Sequence, residues 1–253
     1  MTKRKNVLVT GANKGIGLET ARRLAALGFK VWLGARDSRR GEAAAETLRG
    51  DGFDVERLEL DVTSDESVAA AARTLAERTS SLDVLVNNAG VATGYVDALG
   101  PDGRYERPPS RETIADIKAI YDVNVFGPVR VTQAFLPLLL AAPGARIVML
   151  SSYLGSIARA VGTGVGESQS PNVMGYGSSK TALNAITVAF ARELAPRGIM
   201  VNAAAPGYTA TDLNGHKGHR TVQQAAEIVV RLATLDAGGP TGGYFDENGS
   251  LPW

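Results

Sequence analysis

The sequence predicts an α/β fold, a doubly wound parallel sheet of about seven strands with helices on both faces, in a single domain spanning residues 1–253. Two observations predict it. Short apolar runs alternate along the chain with longer runs of helical periodicity, which is typical of repeated strand-helix units. Polar or glycine-rich residues directly follow most of the apolar runs. This is typical of a doubly wound sheet, in which the residues just beyond the carboxyl ends of the strands bind the ligand.

The apolar runs predict the strands, and the periodic runs predict the helices. Strands are predicted at residues 6–10, 30–35, 55–60, 83–87, 145–150 and 199–203, with a short candidate at 244–245. Helices are predicted at residues 18–27, 38–49, 64–78, 111–140, 176–195 and 221–235. Thr63 is the expected N-cap of the third helix, because Glu66 completes a capping box. Gly127 and Pro128 predict a bend in the fourth helix.

The composition excludes several classes of function. The net charge of +1 provides no electrostatic footprint for nucleic acid or an anionic membrane. The chain has no Cys, which excludes disulfides and thiolate metal sites. The N-terminus leads into a strand without a signal peptide, and no apolar stretch, including residues 134–142, reaches the roughly 18 residues that span a bilayer. We expect a cytoplasmic protein without a nucleic-acid or membrane partner.

His216 and His219 are the only histidines. Their spacing supplies half of a metal site, but no further spaced ligands accompany them, so we expect no metal. Their position in a loop also argues against a Ser-His-Asp triad, and the sequence has no G-x-S-x-G elbow.

A glycine-rich stretch, Gly11-Ala-Asn-Lys-Gly-Ile-Gly17, lies between the first predicted strand and the first predicted helix. Glycines let a backbone turn tightly and approach a pyrophosphate, and the following helix N-terminus offers free N–H groups. This order of strand, glycine loop, helix and strand is the Rossmann-type context for dinucleotide binding. The candidate contacts are Gly11, Asn13, Lys14, Gly15, Ile16 and Gly17.

The residues after the second strand are expected to contact the adenosine ribose. Many NAD sites have an acid there, whereas this chain has Ala35 followed by Arg36, Arg39 and Arg40. Guanidinium groups suit bidentate recognition of a phosphate. We therefore predict a 2′-phosphate site formed by Arg36 and Arg40, with Lys14 nearby, and the cofactor NADP(H). The same charges are also typical of a solvated helix start, and Asp37 is able to meet a ribose hydroxyl.

Tyr176 and Lys180 lie four residues apart at the start of a long apolar run without Gly or Pro, residues 181–194. Side chains at this spacing share one face of a helix. A phenol is a poor acid or base at neutral pH because its ordinary pKa is near 10, and a nearby cation lowers that pKa. The pair is a candidate proton-transfer device, although the same spacing also occurs by coincidence on helix surfaces.

Together the motifs resemble the classical short-chain dehydrogenase/reductase family over essentially the whole chain. The matching segments are Thr10-Gly-Ala-Asn-Lys-Gly-Ile-Gly17, Asp61-Val62, Asn87-Asn-Ala-Gly90, Asn124, Ser152, Tyr176-x-x-x-Lys180 and Pro206-Gly207. Within this family the chain is similar to NADPH-dependent carbonyl reductases, in its glycine loop, in Ala35-Arg-Asp37 and in Gly243-Tyr-Phe-Asp-Glu.

The resemblance implies four catalytic residues. Tyr176 would protonate the carbonyl oxygen during reduction, and Lys180 would lower its pKa and hold the nicotinamide ribose. Ser152 would hydrogen-bond the substrate oxygen. Asn124 would bend its helix and hold a water that links Lys180 to solvent. Its apolar neighbours in the sequence also allow a purely structural role, as a buried and hydrogen-bonded amide.

The resemblance also implies the remaining cofactor contacts. Asp61 and Val62 would flank the adenine, and Arg36 and Arg40 would bind the 2′-phosphate. The other implied contacts lie at later strand ends, namely Asn88, Ala89, Gly90, Pro206, Gly207, Thr209 and Thr211.

Two departures from the family pattern bear on the substrate and the assembly. Ser152 and Tyr176 are further apart than usual, with extra residues around 159–171, a place where monomeric carbonyl reductases carry an insertion. The apolar run at 181–194 instead suggests an oligomer interface, so a monomer, a dimer and a tetramer all remain open. The segment after Gly207 is short, which predicts an open site for bulky or varied carbonyls.

The leading prediction is an enzyme that reversibly reduces a ketone or aldehyde to an alcohol with NADPH. A second hypothesis is a dedicated biosynthetic ketoreductase or a sugar or steroid-type alcohol dehydrogenase, which shares the chemistry and has a narrower pocket. A third is an NADP-binding regulator that has kept the fold and lost the chemistry, although all four catalytic residue types are present.

Overall fold

A computed structural model describes residues 4–100, 105–161 and 171–253 of the chain. Within these residues, eight strands form one sheet in the order β3-β2-β1-β4-β5-β6-β7-β8. The strands are β1 Asn6–Thr10, β2 Lys30–Ala35, β3 Val55–Glu59, β4 Val84–Asn87, β5 Arg146–Leu150, β6 Met200–Ala204, β7 Tyr244–Asp246 and β8 Gly249–Ser250. β1 to β7 are parallel, and β8 returns antiparallel to β7. The expected seven strands are thus present, and β8 adds a two-residue hairpin arm.

The helices follow the strands in sequence and cover both faces of the sheet. They are α1 Gly15–Ala26, α2 Ser38–Gly50, α3 Asp65–Arg78, α4 Ile114–Tyr121, α5 Gly127–Leu140, α6 Ile157–Val161, α7 Met174–Leu194 and α8 Val222–Ala233. The predicted helices and strands are confirmed to within a few residues at each end. α6 is an addition, because no helix was predicted between the strand at 145–150 and the helix at 176–195.

Side-chain alternation along β1 explains why the core has two halves. Leu8 points into the cluster that α3, α5 and α7 cover, where it joins Leu75, Phe135 and Leu183. Its neighbours Val7 and Val9 point to the other face and join the cluster that α1, α2 and α8 cover. Successive strand residues face opposite sides, so an apolar run buries both faces of the sheet. The doubly wound α/β fold is therefore confirmed.

The strand order reverses between β1 and β4, since β2 and β3 lie on one side of β1 and β4 to β7 on the other. At such a switch point the connections that leave the two strands diverge to opposite faces, which opens a crevice beyond the carboxyl ends. The loops after Thr10 and Asn87 border this crevice. The fold thus places the glycine loop and the segment 87–90 side by side.

The start of α3 differs from the prediction. Its N-cap is Ser64, whose hydroxyl accepts a hydrogen bond from the Ser67 N–H at 3.1 Å. Thr63, the predicted cap, instead donates its backbone N–H and its hydroxyl to Asp61, at 3.0 and 2.7 Å. Both residues suit an N-cap chemically. Ser64 is the cap because the hydroxyl of Thr63 is already hydrogen-bonded to Asp61.

The predicted long helix at 111–140 contains a change of helical type. α4 runs into a π-helical turn, Asp122–Phe126, and α5 follows it. The π-helical turn contains Asn124 and closes its hydrogen bond over one more residue than an α-helix does, and the bend predicted at Gly127 and Pro128 stays a prediction.

The helical run Ile114–Leu140 is long and apolar enough to cross a membrane by length and composition, contrary to the expectation from the sequence. Half of its most apolar window is buried inside the protein. Val131, Phe135 and Leu139 supply that buried side and pack against the sheet. This is the pattern of a core helix.

Candidate active site

The glycine loop is shaped by close backbone contacts with the segment after β4. Gly11 has a φ of +62°, and a Cβ there would lie 2.9 Å from the Ala89 Cα. A Cβ at Gly17 would lie 2.4 Å from the Asn88 Nδ2. Both positions therefore require glycine, because a side chain would separate the two loops.

Thr10 and Asn88 connect the two loops by hydrogen bonds. The Thr10 hydroxyl accepts from the backbone N–H groups of Asn88 and Ala89, both at 3.0 Å. The Asn88 amide donates to the backbone oxygens of Thr10 at 2.8 Å and Gly11 at 3.2 Å. The predicted contacts Asn88 and Ala89 thus lie directly against the glycine loop.

The N-terminus of α1 has the properties of an anion site. Its N-cap, Lys14, makes no side-chain capping hydrogen bond, and no acidic residue lies in the first turn. Gly15 has a φ of +59°, and a Cβ there would lie 3.6 Å from the Thr211 Cγ2. Free N–H groups at a helix N-terminus suit the pyrophosphate of a dinucleotide, so these residues fit the predicted cofactor.

α7 brings Lys180 to the end of β5, and its neighbour Ser179 contacts Asn124 in the π-helical turn. The Lys180 Nζ lies 5.6 Å from the Tyr176 ring centroid and donates to the Leu150 backbone oxygen at 2.7 Å. Ser152 follows the end of β5, and its hydroxyl lies close enough to the Tyr176 hydroxyl to lower the pKa of Tyr176. The structure therefore brings these three predicted residues together.

The pKa values at the site are governed by burial. Burial raises the pKa of Tyr176 to about 12, and the nearby Ser152 hydroxyl opposes this shift. Burial lowers the pKa of Lys180 to about 8. The expected lowering of the Tyr176 pKa by Lys180 is thus not seen, because burial outweighs attraction by a cation that faces the ring rather than the hydroxyl. Tyr176 is a proton donor at neutral pH in this state.

Asn124 is fully buried in the π-helical turn and has three hydrogen bonds. Its Oδ1 accepts from the Val91 N–H at 2.9 Å, and its Nδ2 donates to the Val91 backbone oxygen at 2.9 Å and to the Ser179 Oγ at 3.1 Å. These bonds connect the segment after β4 to α7 beside Lys180. Gly90 fits between them, since a Cβ there would lie 3.4 Å from the Asn124 Oδ1 and 3.6 Å from the Lys180 Nζ. The water that Asn124 would hold stays a prediction.

The arginines after β2 are exposed, and they differ in their partners. Asp37 is the N-cap of α2, where its carboxylate accepts from the Arg40 N–H at 2.9 Å and lies 3.4 Å from the Arg40 Nε. The hydrogen bond from the Arg40 backbone lowers the pKa of Asp37. The Arg36 guanidinium has no hydrogen bond or ion pair within residues 4–100, 105–161 and 171–253, although it lies close enough to Asp61 to lower that pKa. Arg36 is therefore the arginine available to a phosphate.

Asp61 and Val62 lie just after β3, at the carboxyl edge of the sheet. Burial raises the pKa of Asp61, but the hydrogen bonds from Thr63 and the charge of Arg36 outweigh it and lower the pKa overall. Val62 is buried, and its Cγ2 lies 3.0 Å from the position that a Cβ on Gly127 would take. Both residues lie where the sequence placed them, and their contacts with adenine stay a prediction.

The segment after β6 folds back over the glycine loop. Thr209 and Arg220 form a parallel bridge, and the Asn214 amide donates to the Thr209 backbone oxygen at 2.9 Å. Asp212 forms an ion pair with Lys14 and lies 2.8 Å from the His216 Nε2. We call this segment, residues 207–220, the lid. The predicted contacts within the lid are Gly207, Thr209 and Thr211, and buried Pro206 precedes it.

Two supporting residues were missed from the sequence. The Tyr244 hydroxyl donates to the Ser152 backbone oxygen at 2.5 Å. The Ser151 hydroxyl donates to the Asn184 Oδ1 at 2.6 Å. Both fix the segment after β5 against neighbouring elements, and no local pattern predicts such distant partners.

Part of the predicted insertion between Ser152 and Tyr176 lies outside the described residues. Of residues 159–171, the structure describes 159–161 and 171. Within residues 4–100, 105–161 and 171–253, no group of three or more His, Asp or Glu side chains is placed to hold a metal ion.

Comparisons with known proteins agree with this geometry. The profile of the family described as short chain dehydrogenase matches residues 5–221. (-)-Isopiperitenone reductase from Mentha piperita is 34% identical, over 96% of this chain and 96% of that protein. Salutaridine reductase from Papaver bracteatum is 31% identical, over 97% of this chain and 95% of that protein. The alignment with the Mentha protein covers 305 positions, so that relative has segments that this 253-residue chain lacks.

Solved structures show the same likeness. The NADPH-bound carbonyl reductase from chicken fatty liver superposes with a TM-score of 0.82 at 29% identity, over 99% of both chains. Salutaridine reductase from Papaver somniferum gives a TM-score of 0.81 at 29% identity, over 96% of this chain and all of that one. With the crevice, the glycine loop and the Ser152, Tyr176 and Lys180 cluster already in place, these matches show that the chain belongs to the short-chain dehydrogenase/reductase family of nicotinamide-dependent oxidoreductases.

Proposed function

We propose that this enzyme reduces a ketone or aldehyde to an alcohol with NADPH, and catalyses the reverse oxidation when the alcohol is in excess. The observation that carries the proposal is the cluster of Ser152, Tyr176 and Lys180 at the crevice, beside a glycine loop that fits a dinucleotide. The raised pKa of Tyr176 favours the direction of reduction, because a protonated phenol is what a developing alkoxide requires.

Each side chain has a definite part in the proposed reaction. Bound NADPH supplies the hydride that the carbonyl carbon accepts. Ser152 donates a hydrogen bond to the carbonyl oxygen, and Tyr176 transfers its proton to that oxygen. Lys180 is held by the Leu150 backbone oxygen with its charge beside the ring, where it stabilises the phenolate left behind. Asn124 holds the segment after β4 against α7, so the crevice keeps its shape while charge moves.

The selectivity for NADPH over NADH rests on Arg36. Its guanidinium is exposed and has no hydrogen bond or ion pair within the part of the chain that the structure describes. Asp37, the acid that competes with a phosphate at this position, is already occupied as the N-cap of α2. A free guanidinium and an engaged carboxylate favour a 2′-phosphate over a ribose hydroxyl pair.

The substrate side of the crevice is aromatic. Burial raises the pKa of Tyr95, and the nearby hydroxyls of Tyr208 and Tyr176 raise it further. Tyr95 also stacks on Tyr105, with ring centroids 5.2 Å apart. These rings and the short lid suit a bulky, largely apolar carbonyl compound. Two relatives of the chain, isopiperitenone reductase and salutaridine reductase, support a reductase of this kind.

The test is NADPH oxidation against a panel of cyclic ketones, aryl ketones and aldehydes, run in parallel with NADH. We expect turnover of several bulky carbonyls with a preference for NADPH. One strongly preferred substrate would instead favour the dedicated ketoreductase. Tight NADPH binding without turnover of any carbonyl would contradict the proposal and favour an NADP-binding regulator.

A further inference from the structure

The catalytic helix α7 has no cap of its own. Its N-cap residue, Val173, has no side-chain acceptor, and no acidic residue lies in its first turn. The first N–H groups of any helix have no partner within the helix. Tyr176 belongs to this first turn, so the order of the turn determines where the phenol lies.

The carboxylate of Glu112 caps the helix from a distant part of the chain. Its Oε1 accepts from the Met174 N–H at 2.6 Å, and its Oε2 accepts from the Gly175 N–H at 2.7 Å. Hydrogen bonds from N–H groups to a carboxylate are stronger than those to a neutral acceptor, and the helix dipole favours a negative charge here. Both oxygens are therefore engaged by the two residues that directly precede Tyr176.

Gly175 permits this close approach. A Cβ on Gly175 would lie 2.9 Å from the Glu112 Oε2, and 3.2 Å from both the Ile117 Cγ1 and the Ile120 Cδ1. Any side chain would displace the carboxylate or the isoleucine side chains of α4. The contact is thus formed from both sides, by an acid on one segment and a glycine on the other.

Glu112 is itself held in place. It directly precedes Thr113, the N-cap of α4, and its backbone N–H donates to the Pro109 oxygen at 3.1 Å. The Tyr105 hydroxyl donates to the Glu112 Oε1 at 3.4 Å. Burial raises the pKa of Tyr105, and the charge of Glu112 raises it further. The cap is therefore a fixed support rather than a mobile surface acid.

We infer that Glu112 is a positioning residue for catalysis, which orders the first turn of α7 and thereby places the Tyr176 hydroxyl against Ser152. It contacts neither the substrate nor the reacting atoms, and acts through the backbone of Met174 and Gly175. This inference rests on the proposed carbonyl reduction only for its effect on turnover, since the capping itself is independent of the reaction.

The test compares Glu112→Ala, Glu112→Gln and a control, Asp116→Asn. Asp116 lies in the first turn of α4 and pairs with Arg107 at 3.7 Å. The Asp116→Asn substitution therefore removes a nearby carboxylate that does not cap α7. We expect kcat to fall about tenfold in Glu112→Ala and less in Glu112→Gln, which retains one acceptor, because small misplacements of a catalytic group are costly. The Kd for NADPH of the two Glu112 variants should stay within about twofold of the wild type, and so should the kcat of Asp116→Asn.

Amide hydrogen exchange supplies a readout that does not need turnover. We expect the amides of the first turn of α7 to exchange about tenfold faster in Glu112→Ala, while those of α5 are unchanged. If the wild-type enzyme reduced no carbonyl, faster exchange would still support the cap and the proposed reaction alone would fail. Unchanged exchange in Glu112→Ala overturns the inference, and so does a lower thermal midpoint with unchanged kcat.

Gly175→Ala provides a converse test. A methyl group there pushes the carboxylate away, so we expect a loss of kcat similar to that of Glu112→Ala. The two changes should not add in the double variant, because both remove the same contact. Full additivity of the two losses overturns the coupling between Glu112 and Gly175.

Discussion

The catalytic side chains and the phosphate-binding side chains lie at the same edge of the sheet, but the fold holds them differently. Asn124 is 0% and Lys180 3% exposed, and each is hydrogen-bonded inside the protein. Lys14 and Arg40 are exposed and form ion pairs with Asp212 and Asp37, and Arg36 is exposed as well.

This difference shows which half of the site is set before any ligand arrives. A buried polar group has to be hydrogen-bonded, so the positions of Asn124 and Lys180 are fixed by folding. Exposed ion pairs contribute little to stability, so Lys14 and Arg40 exchange partners at small cost. The catalytic half is therefore preorganised, whereas the phosphate-binding half acquires its final contacts when the cofactor binds.

The largest expected effect is on proton transfer. Tyr176→Phe removes the hydroxyl and keeps the ring, so we expect kcat to fall by about a hundredfold to ten-thousandfold while NADPH binding is retained. Stopped-flow absorbance and fluorescence titration measure the two quantities. Tyr121→Phe makes the same change at the end of α4 and should keep wild-type turnover. Activity of Tyr176→Phe within about tenfold of the wild type would remove Tyr176 from the mechanism.

The second effect tests preorganisation through stability. Asn124→Ala leaves the N–H and C=O of Val91 without partners, and we expect a loss of about 2 to 4 kcal/mol in the free energy of unfolding. Chemical denaturation measures this loss, and turnover falls with it because the crevice loosens. Asn124→Asp retains the acceptor for Val91 and should lose less activity. An unfolding free energy equal to that of the wild type would show that the amide is dispensable.

The third effect is a dependence on pH. The pKa of Lys180 is lowered from an ordinary value of 10.5 to about 8, so its charge is present below pH 8 and lost above it. Tyr176, with a pKa of about 12, stays protonated over the same range. We expect kcat for reduction to decline as the pH rises above about 8, by up to about tenfold per pH unit. A decline that begins only near 10.5 would mean that burial leaves the Lys180 charge intact.

The fourth effect concerns the phosphate-binding half of the site. Arg36→Ala should raise the KM for NADPH about tenfold and leave the KM for NADH unchanged, because the guanidinium acts only on the 2′-phosphate. Steady-state kinetics with both cofactors measures the change. Arg73→Ala, an exposed arginine on α3, is the control. Equal effects on both cofactors would contradict the 2′-phosphate assignment.

The smallest effect concerns the lid. Asp212→Asn releases Lys14 from its ion pair, and we expect the KM for NADPH to fall by about threefold at most, since exposed ion pairs are weak. The effect should shrink as salt is added, because salt screens exposed charges. A higher KM for NADPH in low salt would indicate that Asp212 holds the lid in the binding conformation instead of competing for Lys14.

Most of the fold followed from local patterns. β1, β2 and α2 begin where the apolar and periodic patterns predict, because burial against the sheet imposes those patterns. Tyr176 and Lys180 were also predictable, since residues four apart on a helix need no knowledge of tertiary structure.

Other features were not predictable because distant partners decide them. Ser64 rather than Thr63 caps α3 because Asp61 takes both donors of Thr63. Glu112 lies 62 residues from the Met174 N–H that it accepts, and no local spacing indicates that contact. The pKa of Tyr176 depends on burial, which the sequence pattern does not quantify.

The most direct test is the fate of the hydride and the proton in one reaction. Wild-type enzyme is given a cyclic ketone from the panel and NADPH labelled with deuterium at the transferable position, and the product is analysed by mass spectrometry. We expect equal amounts of alcohol and oxidised cofactor, with the deuterium on the carbinol carbon. Cofactor oxidation without alcohol, or alcohol without deuterium, would contradict hydride transfer to a carbonyl at this site.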